Sequence, residues 1–346
     1  MTTTRSSAAN PLSGWRVDPD ALSYVGVGLR RPECILAEPD GSLWTADARG
    51  VVHLRPDGTQ RLIEGRPATA DASTGTADSL ILGGSLPNGL AFDRNGDLLI
   101  ANFGTDLIER MTRDGALSTL CDRIDGQPLG KTNFVLTDRR GRIWFTVTTR
   151  QVPWTRSINE RTADGYIGLI DERGARIVAD GFCGTNEIHF DAAEEWLYVA
   201  ETNARRISRL RVGADGTLTD RELYGPSDLG GFPDGFALDA VGNLWITLIL
   251  TERLIALTPA GEVLTLLDDG KPDALAAYEA AYATGTVTPA LLGACAGTIA
   301  PLMASVTFAG PDLRTVCLGS LGGDRLPVFR SPVPGLPPAH WPTRAP

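Results

Sequence analysis

Five similar segments, whose marker residues lie 55, 45, 53 and 48 positions apart, predict an all-β chain folded as one six-bladed β-propeller. Three observations carry this expectation: the repeat, a turn-rich composition, and a shorter sixth copy near the C-terminal end. The repeat reads PECILAEPDGSLWTA at 32–46 and PNGLAFDRNGDLLIA at 87–101. It returns as TNFVLTDRRGRIWFT at 132–146, TNEIHFDAAEEWLYVA at 185–200 and PDGFALDAVGNLWIT at 233–247. Each copy opens on a polar residue, runs into an apolar strand, turns in most copies at a D-x-x-G-type sequence, and returns as a second strand. Two weaker strands follow, as in YIGLIDERGARIVAD and LIALTPAGEVLTLLD, where apolar residues alternate about a tight turn. That alternation is the signal of a hairpin. Each unit is therefore a four-stranded meander.

Five blades begin near residues 32, 87, 132, 185 and 233. The sixth, ASVTFAG, RTVCLGSL and LPVFRS within 304–331, lacks an outer strand. The segment SYVGVGL at 23–29 precedes blade 1 and is expected to supply it. Closing the ring this way removes an open sheet edge. One domain spans 1–346, with an N-terminal extension at 1–20 and an insertion at 268–303 before blade 6. The insertion carries DALAAYEAAYATG, an Ala-rich helix with Asp273 near its cap, and a second short helix in TPALLGACAG. The two are expected to form a lid. Rim loops at 65–86 and 148–165 are the other long connections.

The 39 Gly and 23 Pro suit a protein of many tight turns, and 42% hydrophobic residues suffice for a large core. The net charge of −10, with no Lys/Arg run, argues against nucleic acid and anionic membranes as partners. Five Cys without a C-x-x-C pair read as small buried apolar side chains, not as a zinc or disulfide framework. No apolar run is long enough for a membrane span. The first residues, MTTTRSSAANPLSGW, lack the apolar core of a signal peptide. The default expectation is a cytoplasmic protein acting on a small-molecule substrate, with its oligomeric state open.

Function is sought at the repeat position that is polar without need. In a propeller the first strand of each blade lines the central channel, and five such strands begin with Glu33, Asn88, Asn133, Asn186 and Asp234. Five oxygen-bearing side chains then point at one axis. Hard divalent cations take carboxylate and amide oxygens, with waters completing the shell, so Ca²⁺ fits best and Mn²⁺ or Mg²⁺ also fit. Zn²⁺ fits less well, because its sites favour His and Cys and the chain has three His. The competing reading makes these residues turn formers that bond their own backbone.

At these positions the chain resembles the SMP-30/gluconolactonase/LRE-like family, within the calcium-dependent phosphotriesterase-like propeller superfamily. The resemblance covers residues 23–331. It is strongest in FPDGFALDAVGNLWIT, similar to the family's P-D-G segment, and in TNEIHFDAAEEWLYVAET, similar to its N-G segment. It implies one catalytic divalent metal, with ligands falling on Glu33, Asn133, Asn186 and Asp234. It also implies that Asp234 serves as general base or nucleophile. Asn133 and Asn186 are followed here by Phe134 and Glu187, where the family usually carries Asp or Gly. The activity implied is hydrolysis of a lactone or related ester. A lyase or isomerase on the same metal, and a binding platform with a structural Ca²⁺, are the alternatives.

Substrate contacts are expected from Asn88 in the channel, from Arg150 and Trp154 on the 148–165 loop, from Glu201 on a rim turn and from Tyr278 on the lid. Arg150 and Glu201 read equally well as solvated or cross-linking charge, and Tyr278 as packing onto the propeller. His189 has two readings, a proton shuttle that reaches the channel and an outward, packed side chain, of which the second is expected; alternation should turn Cys34 away from the metal. GQPLGKT at 126–132 is one residue short of a phosphate loop and precedes a strand, so it is set aside.

Overall fold

The computed structural model describes residues 9–66 and 85–341. Most of the expected 65–86 rim loop, and the first part of the N-terminal extension, lie outside the described residues. Among the described residues, six four-stranded antiparallel sheets follow one another, five of them as simple meanders. Their inner strands are Ile35–Ala37, Pro87–Phe92, Thr132–Thr137, Thr185–Phe190, Phe232–Leu238 and Met303–Ala309. Blade 6 takes its outer strand from Ser23–Val25, which pairs antiparallel with Leu326–Arg330 in the register Ser23↔Val328. The closing strand is shorter than SYVGVGL because the chain turns through Gly26 and Gly28, both at positive φ.

The repeat's turn has a packing role. The carboxylates of Asp138 and Asp239 accept the indole N–H of Trp144 and Trp245, six residues on, at 2.9 and 3.0 Å. Glu38 does the same for Trp44. A turn residue thereby satisfies the one polar atom of a large side chain that is otherwise wholly buried. These Trp residues sit within the large hydrophobic clusters that run between neighbouring sheets.

Neighbouring inner strands are too far apart to pair as sheets, so side chains tie them. Thr137, Thr148, Thr202 and Thr247 each donate from Oγ1 to a backbone carbonyl of an adjoining blade: Phe92, Thr185, Pro233 and Ala304. Thr307 and Ser305 reach from blade 6 to the carbonyls of Ile35 and Glu33 in blade 1. Arg31 completes the ring by donating to the Pro87 carbonyl at 3.1 Å.

The inner strands of blades 2 to 5 slip register at their markers, Pro87/Leu90, Thr132/Val135, Thr185/Ile188 and Pro233/Phe236, and that of blade 6 slips at Met303/Ser305. A bulge of this kind re-aims side chains that strict alternation would turn into the sheet. Consecutive residues therefore both reach the channel. Asn133 and Asn186 line a cavity at one end, while Phe134 and Glu187 line a cavity at the other; Glu33 and Cys34, ahead of the first strand, divide the same way without a slip.

The insertion forms helix α1, Pro272–Thr284, and helix α2, Pro289–Ala294. Asp273 lies in the first turn of α1, but Lys271 occupies the cap position and no side chain caps the end. Gly285 at φ +70° closes α1 in the left-handed conformation. Tyr278 and Tyr282 both pack edge-on against Phe232, and Tyr282 donates its hydroxyl to the Asn203 carbonyl. Glu279 pairs with Arg205 at 3.1 Å. The return to blade 6 is held by buried Glu252, which accepts backbone N–H groups from Gly297, Leu302 and Met303.

Replacing Asp138 with Ala strands the buried Trp144 indole N–H and removes the partner of Arg142, paired at 2.6 Å. Urea unfolding is expected to show a loss of about 2 kcal/mol.

Candidate functional site

Glu33, Asn88, Asn133, Asn186 and Asp234 come together at one cavity of about 130 Å³, at the end of the channel covered by the helical insertion. All five are buried. A chain of hydrogen bonds fixes their orientation. Arg31 donates from Nη2 to Asn88 Oδ1 at 2.6 Å, and Asn88 donates from Nδ2 to Glu33 Oε1 at 3.0 Å and to the Asn133 carbonyl at 3.0 Å. Asn186 donates to Thr202 Oγ1 at 3.0 Å and to Asp234 Oδ1.

What these bonds leave over is informative. Glu33 Oε2, Asn133 Oδ1 and Asn186 Oδ1 are buried and take no hydrogen bond among the described residues. Buried acceptors without a donor are costly, and three on side chains that share one cavity call for a cation. Asn88 differs, because its oxygen is spent on Arg31 and its nitrogen on Glu33 and Asn133. It holds the cluster together and offers no free oxygen toward an ion.

The electrostatics agree with the geometry. Burial pushes Glu33 up to about 8, with Glu187 adding to the rise and the Arg31 guanidinium and the Asn88 hydrogen bond opposing it. Burial raises Asp234 well above the usual carboxylate range, and the nearby charges of Glu33 and Glu187 raise it further. Two carboxylates whose ionisation a low-dielectric site disfavours are stabilised together by a positive ion between them. No group of three or more His, Cys, Asp or Glu converges among the described residues. The donor set is carboxylate plus amide, which suits Ca²⁺ rather than Zn²⁺.

Trp154 and Tyr278 also line this cavity, together with Phe103, Ile158, Ile249 and Leu302. Tyr278 packs on Phe232 and lines the cavity. The structure does not bring Arg150 or Glu201 there. Arg150 lies over the Tyr166 ring at 4.6 Å and donates to the Leu129 carbonyl. Glu201 is fully buried, bonded to Arg206, Ser208 and the Cys183 N–H, and paired with Arg221 at 3.1 Å. It braces the outer strands of blade 4.

Arg31 is the site residue that repeat analysis misses, because it precedes the repeat. It is 5% exposed, sits at φ +56°, and its Nε finds no partner. An Arg placed immediately before the Pro-Glu marker in RRPE was the available signal. His189, expected to pack outward, instead faces the far cavity. The inner-strand bulge turns it toward Glu187 Oε2, 3.2 Å away, between Phe134 and Phe236. Cys34 does turn away from the marker cluster and accepts the Leu90 N–H.

Phe134 and Glu187 also explain two neighbouring glycines. A Cβ on Gly89 would come within 2.5 Å of Phe134 Cα, and one on Gly235 within 2.6 Å of Glu187 Oε1. The neighbouring backbone closes in as well, with the Asn133 carbonyl 2.9 Å from the Cβ position at Gly89 and the Ala304 carbonyl 2.6 Å from that at Gly235, so only Gly fits at either.

A family model described as the SMP-30/Gluconolactonase/LRE-like region matches residues 59–269. Asn88, Asn133, Asn186 and Asp234 lie inside that stretch, and Glu33 and Arg31 precede it. Protein STRICTOSIDINE SYNTHASE-LIKE 13 of Arabidopsis thaliana is 26% identical over 185 residues, 52% of this chain and 44% of that protein. A 6-deoxy-6-sulfogluconolactonase of Pseudomonas putida is 26% identical over 149 residues, 42% of this chain and 50% of that protein. The chain thus spans about half the length of these curated relatives. Among solved structures, a calcium-binding protein, regucalcin, from Agrobacterium tumefaciens superposes with a TM-score of 0.62. It is 15% identical, over 90% of this chain and 95% of that one. At that identity the likeness speaks for the fold. No helix among the described residues is long and apolar enough to cross a membrane.

Burial of Glu33 sets a pH dependence. Glu33 has a folded-state pKa near 8, above its unfolded value of 4.5, so the folded protein holds the extra proton between the two. Stability of the ion-free protein should fall as pH rises through that window. Thermal unfolding in chelator is expected to show Tm decreasing from pH 5.5 to 8.5, with added Ca²⁺ restoring more of it at the higher pH. Calorimetric titration near pH 7 should show proton release on Ca²⁺ binding.

Proposed function

Because the chain belongs to the SMP-30/gluconolactonase/LRE-like family, we propose that it is a divalent-cation-dependent hydrolase of a lactone or related ester. The observation that carries this reading is the set of three buried, unpartnered oxygens on Glu33, Asn133 and Asn186 beside the Asp234 carboxylate. A lactonase and a calcium-binding protein among the similar proteins support it.

Glu33, Asn133, Asn186 and Asp234 would hold the cation, with Ca²⁺ the best match to their oxygens. When bound, it would polarise the substrate carbonyl and lower the pKa of a water in its shell. The chain's own part is positioning and proton transfer. Arg31 and Asn88 fix Glu33 so that one oxygen is spent and the other is free. Asp234 takes the proton of the attacking water as that oxygen bonds to the carbonyl carbon. The ring C–O bond then breaks, and the proton passes from Asp234 to the departing alkoxide, giving a hydroxy acid. The helical insertion and the Trp154 loop cover the cavity and exclude bulk water.

A second reading is favoured by one observation. The Arg31 guanidinium is buried beside Glu33 and Asp234 and already offsets part of their charge. The same residues could then serve chemistry that needs no metal. The two readings separate on chelation, which abolishes turnover in the first and spares it in the second.

Asp234→Asn keeps an oxygen toward the cation but cannot accept the proton. Lactone hydrolysis with saturating Ca²⁺ is expected to drop by about 10³-fold in kcat while thermal stabilisation by Ca²⁺ persists. Full turnover by this variant with Ca²⁺ bound would remove Asp234 from the proton transfer.

A further inference from the structure

The site has a polar floor and an apolar wall, and the wall specifies the body of the substrate. Above the Glu33–Asp234 cluster the cavity is walled by Phe103, Ile158, Ile249, Leu292, Leu302 and Leu321. Most of the wall's polar groups are spent on the protein. Thr148 Oγ1 donates to the Thr185 carbonyl at 2.8 Å, Thr202 Oγ1 to the Pro233 carbonyl at 2.7 Å, and Asn203 Nδ2 to the Ser157 carbonyl at 2.9 Å. One donor is conspicuous because it is not spent. The Trp154 indole N–H is buried and unpartnered, and the ring faces the cavity, held edge-on by Phe103 at 5.3 Å. A polyhydroxylated lactone brings several hydroxyl groups, each of which would need a partner that this wall does not provide. A lactone bearing an alkyl chain brings only its two ester oxygens, and its chain replaces water against Leu and Ile side chains.

We propose that the substrate is an apolar, alkyl-substituted lactone or ester rather than a sugar lactone. The ester oxygens would find their partners at the channel floor, with the Trp154 indole N–H as the unspent donor of the wall. The proposal rests on the hydrolase reading for its chemistry, but the shape and polarity of the wall can be read by binding alone.

The test uses the full chain with Ca²⁺ and two pairs of probes. δ-Decalactone and glucono-1,5-lactone are compared in a pH-stat assay. 2-Pentylcyclopentanone, which has a carbonyl but no scissile bond, and 1,5-anhydroglucitol, which has the hydroxylated ring, are compared by tryptophan fluorescence. We expect kcat/KM for the decalactone to exceed that for the sugar lactone by ~100-fold, and the ketone to bind while the polyol does not. Trp154→Phe keeps the ring packing and loses the donor, so it should weaken the ketone by ~10-fold with Tm unchanged. Equal or preferential use of the sugar lactone, or tighter binding of the polyol, overturns the proposal and leaves the hydrolase reading standing. Binding of neither probe also overturns it. Selective binding of the ketone with no hydrolysis of either lactone upholds the apolar pocket and removes the hydrolase reading. Unchanged ketone affinity in Trp154→Phe removes that residue's part.

Discussion

Everything at the axis depends on the closure of the ring. Besides the hydrophobic clusters between them, the six sheets are joined there by side-chain hydrogen bonds onto neighbouring inner strands and by the outer strand that Ser23–Val25 adds to blade 6. Hydroxyl-to-carbonyl bonds of 2.7–3.0 Å leave little freedom in the radius of the channel. Fixed radius means fixed separation among residues far apart in sequence. Arg31 bonding across to Pro87 and Asn88 belongs equally to the ring and to the site, so the two cannot be altered independently.

Given that closure, the inner-strand bulges decide what the channel contains. Without the register slips, alternation would send one of each adjacent pair into the sheet. With them, Asn133 and Phe134, or Asn186 and Glu187, face opposite ends of one passage. The passage is thereby divided. One end gathers two carboxylates, four amides and a guanidinium under the helical insertion. The other, about 170 Å³, gathers Glu187 and His189 among Phe92, Phe134 and Phe308. The imidazole there is held down to about 4 by burial, so it is neutral at ordinary pH. Glu187 nevertheless acts on both ends, since its charge raises Glu33 and Asp234 across the plane it occupies.

The helical insertion changes the character of the site rather than its chemistry. Tyr278 and Leu292 come from it to line the cavity, and Tyr282, Glu279 and the Glu252 cradle tie it to blades 4 and 5. It rests on the propeller through the aromatic contacts of Phe232 and two charge-bearing anchors. A floor of hydrogen-bonding groups from the blades thus carries a largely apolar roof to which the insertion contributes.

The amino-acid sequence by itself determined the blades, their order, the strand that closes them and the helices of the insertion. Those features follow from local rules: apolar alternation, turn residues at a fixed offset from Trp, and a period long enough for four strands. It also singled out Glu33, Asn133, Asn186 and Asp234, because polarity repeated at one position of a strand is visible without coordinates. Only the tertiary structure decided which side chains spend their hydrogen bonds elsewhere. Glu201 and Arg150 carry the right chemistry on rim loops, yet Arg206, Ser208 and Tyr166 claim them first. Arg31 lies outside the repeat and reaches the site through a left-handed turn that no periodicity signals. His189 faces the channel because of a bulge, and a bulge depends on how two strands register, which neither strand states alone.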